Sequence, residues 1–329
     1  MAFSASFDYV RTADQLIEAS LRKLGVLAEG QSSSTNQKTY GTEALNVLLK
    51  SWQGYGMPIW NMRFGYIYPI HDTNTISIGS TAGLGHASDE LILTKLTADA
   101  ATSATTITVS ITAAVDVVGT TTNADFIGIE LDDGTMHWTT ISSGGGTTGL
   151  TIGTGLASAA ATGNRVYAYT NKMNRLEAIE NAWLVTASTG ARIELPMDAR
   201  TTVQGNSVLS TEGEPIHYNY QESYHTSPAN GGFGTFTFWP RFQNGEQYIE
   251  IYQQHPFDDI DTSSTDNIAL PPVWYRAVIL HLAIDLGLEY SAPAEKMAMI
   301  KGLAKEAFDI AQGASTEGTS IFFAPTERL

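Results

Sequence analysis

The spacing of apolar residues changes twice along this chain, and those two changes confine the fold to helix at both ends with sheet between. Near the N-terminus Ala13, Ile17, Leu21 and Leu24 recur at i, i+4, i+8 and i+11, the spacing of one helix face. Thr12 and Gln15 stand where a capping box would satisfy two orphan amides, and Gly25 stops the helix. A second helix is expected from about Lys38 to Gln53, with Ala44, Leu45, Leu48, Leu49 and Trp52 on one stripe. The string Gly54-Tyr55-Gly56-Met57-Pro58 ends it. From Arg63 the period falls to two, in RFGYIYPI and TISIGS, and the composition stays strand-like to about Ile260.

Helical spacing then returns. Pro271-Pro272 suits a helix start, because the first turn needs no amide donors, and VWYRAVILHLAIDLGLEY follows. That helix is apolar on almost every side, so it must be covered all round, and neighbouring subunits are the expected cover. Trp274, Val278, His281 and Asp285 are the positions expected to make this contact. A last helix begins after Pro293 and places Met297, Ile300, Ala304, Ala307, Phe308 and Ala311 on one face.

Within the strand-rich stretch, residues from about 93 to 170 form a separate block of Thr, Ala, Gly and Ser, alternating in TTITVSI, FIGIEL, MHWTTI and VYAYT. It reads as an insert, and Asp133-Gly134 supplies a positive-φ hairpin turn inside it. Outside the insert lie RIEL, PIHYNY, GTFTFW and QYIEIY, the last two expected as strands joined through a loop with Asn244-Gly245 at its tip. The fold class is therefore α+β: an α-helical domain built from N- and C-terminal helices, with a projecting antiparallel β-domain carrying an inserted small β-barrel or sandwich. The expected boundaries are 1–62 and 261–312 for the helical domain, 63–92 with 173–260 for the β-domain, 93–172 for the insert, and 313–329 for an extended tail.

Charge and composition narrow the function. With 34 acidic against 18 basic residues the formal charge is −16, the wrong sign for tight binding of phosphates. There is no cysteine, hence no disulfide framework or thiolate nucleophile. The start, MAFSASFDYVRTAD, lacks the pattern of an export signal, and no apolar run reaches a membrane span, so a soluble, unexported protein is expected.

Catalytic patterns were sought one by one. No serine sits in a nucleophile elbow, and the histidines (His71, His86, His137, His217, His225, His255, His281) never pair at zinc-ligand spacing. Glu130 and Asp132 share a strand side, as glycosidase carboxylates can, but the adjacent Asp133-Gly134 favours an ordinary turn. His281 and Asp285 lie one helical turn apart, which reads as an interface hydrogen bond before a proton relay. Asp258, Asp259, Asp261 and Asp266 lack the glycine and closing glutamate of a calcium loop. GGFGTF at 231–236 precedes a strand, where a phosphate cradle needs a helix. No enzyme, cofactor or metal site is expected.

A resemblance adds to this reading. SLRKLGV (20–26) paired with ALNVLLKSWQGYGMPIW (44–60) resembles the head-completion adaptors of short-tailed bacteriophages, also called packaged-DNA stabilisation or gatekeeper proteins. GTFTFWP (234–240), YIEIYQQHPFDDID (248–261) and LPPVWYRAVILHLAIDLGLEY (270–290) look like a second signature of that group, and the two stretches span about half the chain. The block at 93–170 departs from the small adaptors and is similar to decoration-type β-domains of other phage neck proteins.

The resemblance implies a structural virion protein at the head–tail interface, made in the host cytoplasm. It would form a ring of roughly twelve copies beneath the portal protein, with a tail nozzle or tube protein below. Double-stranded DNA would pass through the lumen without sequence-specific binding, and a tail fibre or spike could meet the insert. In such relatives the C-terminal tail reaches the portal, which assigns Ile321, Phe322 and Phe323 as docking anchors. The competing expectation is a tail-associated carbohydrate- or receptor-binding β-protein with Trp138, Tyr167 and Tyr169 as a stacking platform.

Overall fold

The computed structural model describes residues 9–54, 62–79, 85–110, 126–144, 148–205, 208–223, 233–257, 259–261, 268 and 270–315. The chain is mixed α+β. It begins with helices α1 (Ala13–Leu24) and α2 (Thr35–Gly54). Strands follow: β1 (Met62–Ile67), β2 (Thr75–Ile78), β3 (Ala87–Ser88), β4 (Ile92–Lys95), β5 (Thr106–Thr108), β6 (Phe126–Glu130), β7 (Met136–Ser143), β8 (Gly149–Ile152), β9 (Arg165–Tyr169), β10 (Ala178–Thr186) and β11 (Arg192–Glu194). After the short α3 (Arg200–Gln204) come β12 (Glu212–Gly213), β13 (His217–Ser223), β14 (Phe233–Trp239), β15 (Arg241–Phe242) and β16 (Gln247–Gln254). Helices α4 (Pro272–Glu289) and α5 (Ala294–Ser315) complete the described elements. The chain divides into two compact units, one of the residues up to Asn61 with those from Phe257 onward, the other Met62–Pro256.

In the helical unit, the capping box of α1 forms as its sequence requires. Thr12 Oγ1 accepts from the Gln15 amide at 3.3 Å, and Gln15 Oε1 accepts from the Thr12 amide at 3.4 Å. Gly25 closes the helix at φ 79°, a conformation only glycine adopts freely. Helix α2 starts at Thr35, three residues before its apolar stripe suggests, because Ser34 and Gln37 make a second capping box.

The core of this unit is built around α4. Trp274, Ala277, Val278, Leu282 and Ala283 are wholly buried, among Leu16, Ile17 and Leu21 of α1, Leu45 and Leu49 of α2, and Ile300, Ala304 and Ala311 of α5. Small residues bring the helices close. The Ser20 hydroxyl lies 2.8 Å from Leu16 O and 3.0 Å from Ile279 O, and Gly41 packs directly on Ile17. Much of the cover expected from neighbouring subunits comes from α1, α2 and α5 of this unit, which leave Arg276, Asp285 and Leu288 of α4 exposed.

The β unit contains two sheets that share a core. One has the order β11-β10-β16-β1-β3, the other β13-β14-β2. Ile67, Ile249, Ile251 and Leu184 of the first meet Ile76, Phe236, Phe238 and Tyr218 of the second. Strands β14 and β16 thus belong to different sheets, so Asn244-Gly245 is not the tip of a paired hairpin. Pro240, which has no N–H to donate, directly follows the last residue of β14.

β12 and β15 pair as a short parallel ribbon, and the other strands form a six-stranded sheet, β4-β9-β6-β7-β8-β5, around Ile107, Ile127, Ile129, Ile141, Leu150 and Val166. Its first and last strands are joined beyond their ends, where Thr97 donates to Thr108 O and Ser110 to Lys95 O, each at 2.9 Å. The sheet therefore curls until its edges meet, and a closed edge offers no template for stray pairing. The turn between β6 and β7 uses Gly134 at φ 83°, with Asp133 Oδ1 accepting from the Thr135 amide at 2.9 Å.

Two Gly→Ala substitutions should move stability in opposite directions. A Cβ on Gly41 would stand 2.5 Å from Cγ2 of buried Ile17, whereas one on Gly302 of α5 would meet nothing within 4 Å. Alanine favours helix by about 1 kcal/mol over glycine, and overpacking costs roughly 1–3 kcal/mol. Urea unfolding should show Gly302→Ala stabilised by up to about 1 kcal/mol and Gly41→Ala destabilised by a similar amount.

Candidate functional site

Helix α4 carries the residues singled out for subunit contact, and the structure separates them. Trp274 and Val278 point into the core of their own unit, where no other copy can reach them. His281 is half-buried beside Trp52, with ring centroids 5.2 Å apart, and beside Phe308 at 5.6 Å; its Nδ1 is 3.0 Å from Ala277 O. Asp285 is exposed, and partial desolvation raises its pKa against the opposing pull of His281. The pair sits on the edge of a packed aromatic cluster. That arrangement suits positioning of α2 and α5 on α4 rather than proton transfer. Ile321, Phe322 and Phe323 lie outside the described residues.

Exposed apolar groups on the helical unit occur elsewhere. Val47 is 69% and Tyr40 54% exposed on the outer face of α2, and Met299 is 62% exposed on α5. Between α1, α4 and α5 runs a groove of about 480 Å³ to which Arg11, Lys23 and Arg276 contribute. Arg11 is oriented by Tyr9, its Nε donating to the phenol oxygen at 2.7 Å. The apolar stripe rule locates helices by their buried faces and passes over such positions. Their signal is an apolar residue off the stripe, as Tyr40 and Val47 are.

The rings expected to form a carbohydrate platform are used internally. Tyr167 and Tyr169 are wholly buried, and Tyr169 stacks on Tyr68 with centroids 5.2 Å apart and planes within 6°. Trp138 stacks on His86 at 3.8 Å and donates its indole N–H to Pro69 O at 2.9 Å. Tyr167 donates to Gly245 O at 2.7 Å. These contacts lock the curled sheet to its host strands, and they leave neither tyrosine a free face for a sugar. Burial pushes both phenols well above their ordinary pKa, so they remain neutral donors.

The candidate carboxylates are also committed to structure. Glu130 accepts from Arg165 at 2.9 Å, and the same guanidinium reaches Glu246 at 2.9 Å, tying β9 to the loop before β16. Asp132 Oδ1 accepts from the Ala161 amide at 2.7 Å and from Asn164 Nδ2 at 3.0 Å. Of the acidic linker, Asp258 and Asp266 lie outside the described residues, while Asp259 pairs with Lys50 at 3.0 Å. Gly231 and Gly232 lie outside as well, and Gly234 to Phe236 run within β14. Among the described residues no group of three or more His, Cys, Asp or Glu is placed to hold a metal ion. No described helix is long and apolar enough to cross a membrane.

A scan against protein-family profiles and a search among curated proteins find no match to this chain.

The joint around His86 confers a pH dependence. Burial, with a smaller contribution from Lys172, lowers His86 from 6.5 to about 3, and its Nδ1 lies 2.8 Å from Tyr169 Oη. The folded state holds the ring neutral, whereas the unfolded chain takes up a proton below about pH 6.5. Stability from this residue is complete above that pH and is lost as pH falls toward 3, with roughly 2 kcal/mol gone by pH 5. Urea unfolding at pH 7 and pH 5 should show this loss in the wild type, and His86→Phe, which keeps a ring over Trp138, should remove that part of it.

Proposed function

We propose that the chain is a structural subunit of the head-to-tail connector of a short-tailed bacteriophage, joining capsid to tail as a ring below the portal, and not an enzyme. The observation that carries this reading is the splicing of the β unit into a helical unit made from both ends of the chain. That arrangement is consistent with the order of the stretches that resemble the head-completion adaptors. In this reading the helical unit forms the ring wall, made of roughly twelve copies in cyclic symmetry. The β unit, with its curled insert as a small barrel, faces tail components: a nozzle or tube protein below, and a fibre or spike through the insert.

Charge fits the same role. A net charge of −16 repels the phosphate backbone, so duplex DNA would slide through a lumen lined by this protein without being gripped. The protein would reside in the virion neck after synthesis in the host cytoplasm. It needs no cofactor for such work.

Residues 313–329 are assigned to the portal, with Ile321, Phe322 and Phe323 filling apolar pockets. Deleting 314–329 should abolish co-sedimentation with purified portal while leaving the thermal unfolding of the described units unchanged. Portal binding unaffected by the deletion would discard the docking assignment. An electron-microscopy map of the particle neck without this chain in it would discard the connector role.

A further inference from the structure

Two surfaces of the helical unit are complementary to each other and cannot meet within one copy. The first is the groove between α1, α4 and α5. Buried Leu280 and Ile300 form its floor, and exposed Met299 stands at its edge. Arg11, Lys23 and Arg276 line it and no acidic residue does, although the chain has 34 acidic residues to 18 basic. Lys23 and Arg276 have no ion pair among the described residues.

The second is the outer face of α2. Tyr40 and Val47 are two turns apart and lie opposite the buried Leu45, Leu49 and Trp52, while Ala44 between them leans toward the core. Glu43 is exposed on the same face and has no ion pair among the described residues. The ridge from Tyr40 to Val47 is about 10 Å long at the helical rise, short enough to lie in such a groove.

We propose that the Tyr40–Val47 ridge of one copy seats in the α1–α4–α5 groove of a second copy, with Glu43 against the Arg11, Lys23 and Arg276 rim. The contact buries apolar groups on both sides and sets the single carboxylate of the ridge among three cations. Because the two surfaces differ, an open chain of copies keeps one free ridge at one end and one free groove at the other. Such a heterologous contact closes into a ring when its rotation allows. The proposal rests on the connector reading and refines it by naming the subunit contact of the helical unit: α2 of one copy against Arg276 of α4, with α1 and α5, of the next.

The absence of cysteine makes the contact directly testable. Full-length Val47→Cys and Met299→Cys chains each carry one exposed thiol and are mixed in equal amounts under mild oxidation with glutathione disulfide. Chance collision favours the mixed dimer over either homodimer by about twofold, whereas the seated ridge should raise this to roughly tenfold. Adding Glu43→Lys to the Val47→Cys chain should cut the mixed yield about threefold, and Arg276→Glu in the Met299→Cys chain should recover it. A ratio at the chance value, or indifference to Glu43→Lys, overturns the proposal. So does protection of Met299→Cys from alkylation that is lost on deleting 316–329, which would make the chain's own tail the occupant. Portal co-assembly by a chain at the chance ratio discards this contact alone; a trapped mixed dimer that never joins portal discards the connector role alone.

Discussion

The structure depends on the burial of most of α4, from Trp274 to Gly287, among three other helices. A helix with apolar groups on every side has no stable position at a surface, and it imposes its requirement on the rest of the unit. The requirement is met from both ends of the chain, by α1 and α2 before the β unit and α5 after it. Contacts between residues more than two hundred positions apart, such as Ser20 with Ile279, therefore hold the unit together. The β unit is spliced into that closure, so neither helix pair can complete its core without the chain that passes through the sheets.

Much of this was legible from residue spacing, because capping and stripe patterns are local. Thr12 with Gln15, and Gly25 behind them, mark α1 to the residue. The start of α2 was readable too, in Ser34 and Gln37, but the apolar stripe begins later and drew the boundary to Lys38. The pairing of strands was less accessible. QYIEIY and GTFTFW alternate equally well, and nothing local says that Phe236 and Ile249 face each other from two sheets instead of lying side by side in one. The five-residue α3 has no apolar period to announce it.

The candidate surfaces were less legible than the elements that carry them. Tyr167 and Tyr169 alternate with small residues as exposed platform rings would, yet both became the packing of the insert on its host. Whether an aromatic faces water or a neighbouring strand is decided by tertiary contact. The same limit applied to α4, where an apolar surround was expected to imply other subunits. One helix's pattern cannot distinguish a neighbour in the same chain from a neighbour in the next. The ridge on α2 lies off the buried stripe and the cation-lined groove is assembled from three helices, so neither shows in the pattern of a single helix.

The curled sheet enters and leaves its host through adjacent strands: Ile92 of β4 pairs with Ala168 of β9. A short bypass of about two residues could rejoin the host chain there, so the block has the connectivity of a removable cassette. Its underside does not behave so independently. Tyr68 belongs to the host and is buried against Trp138, Tyr167 and Tyr169 of the block, so excision would strip part of a greasy spot bare and leave the shortened protein prone to clumping. Any lineage that gained or lost such a cassette would have had to repaint that spot with polar side chains at the same time.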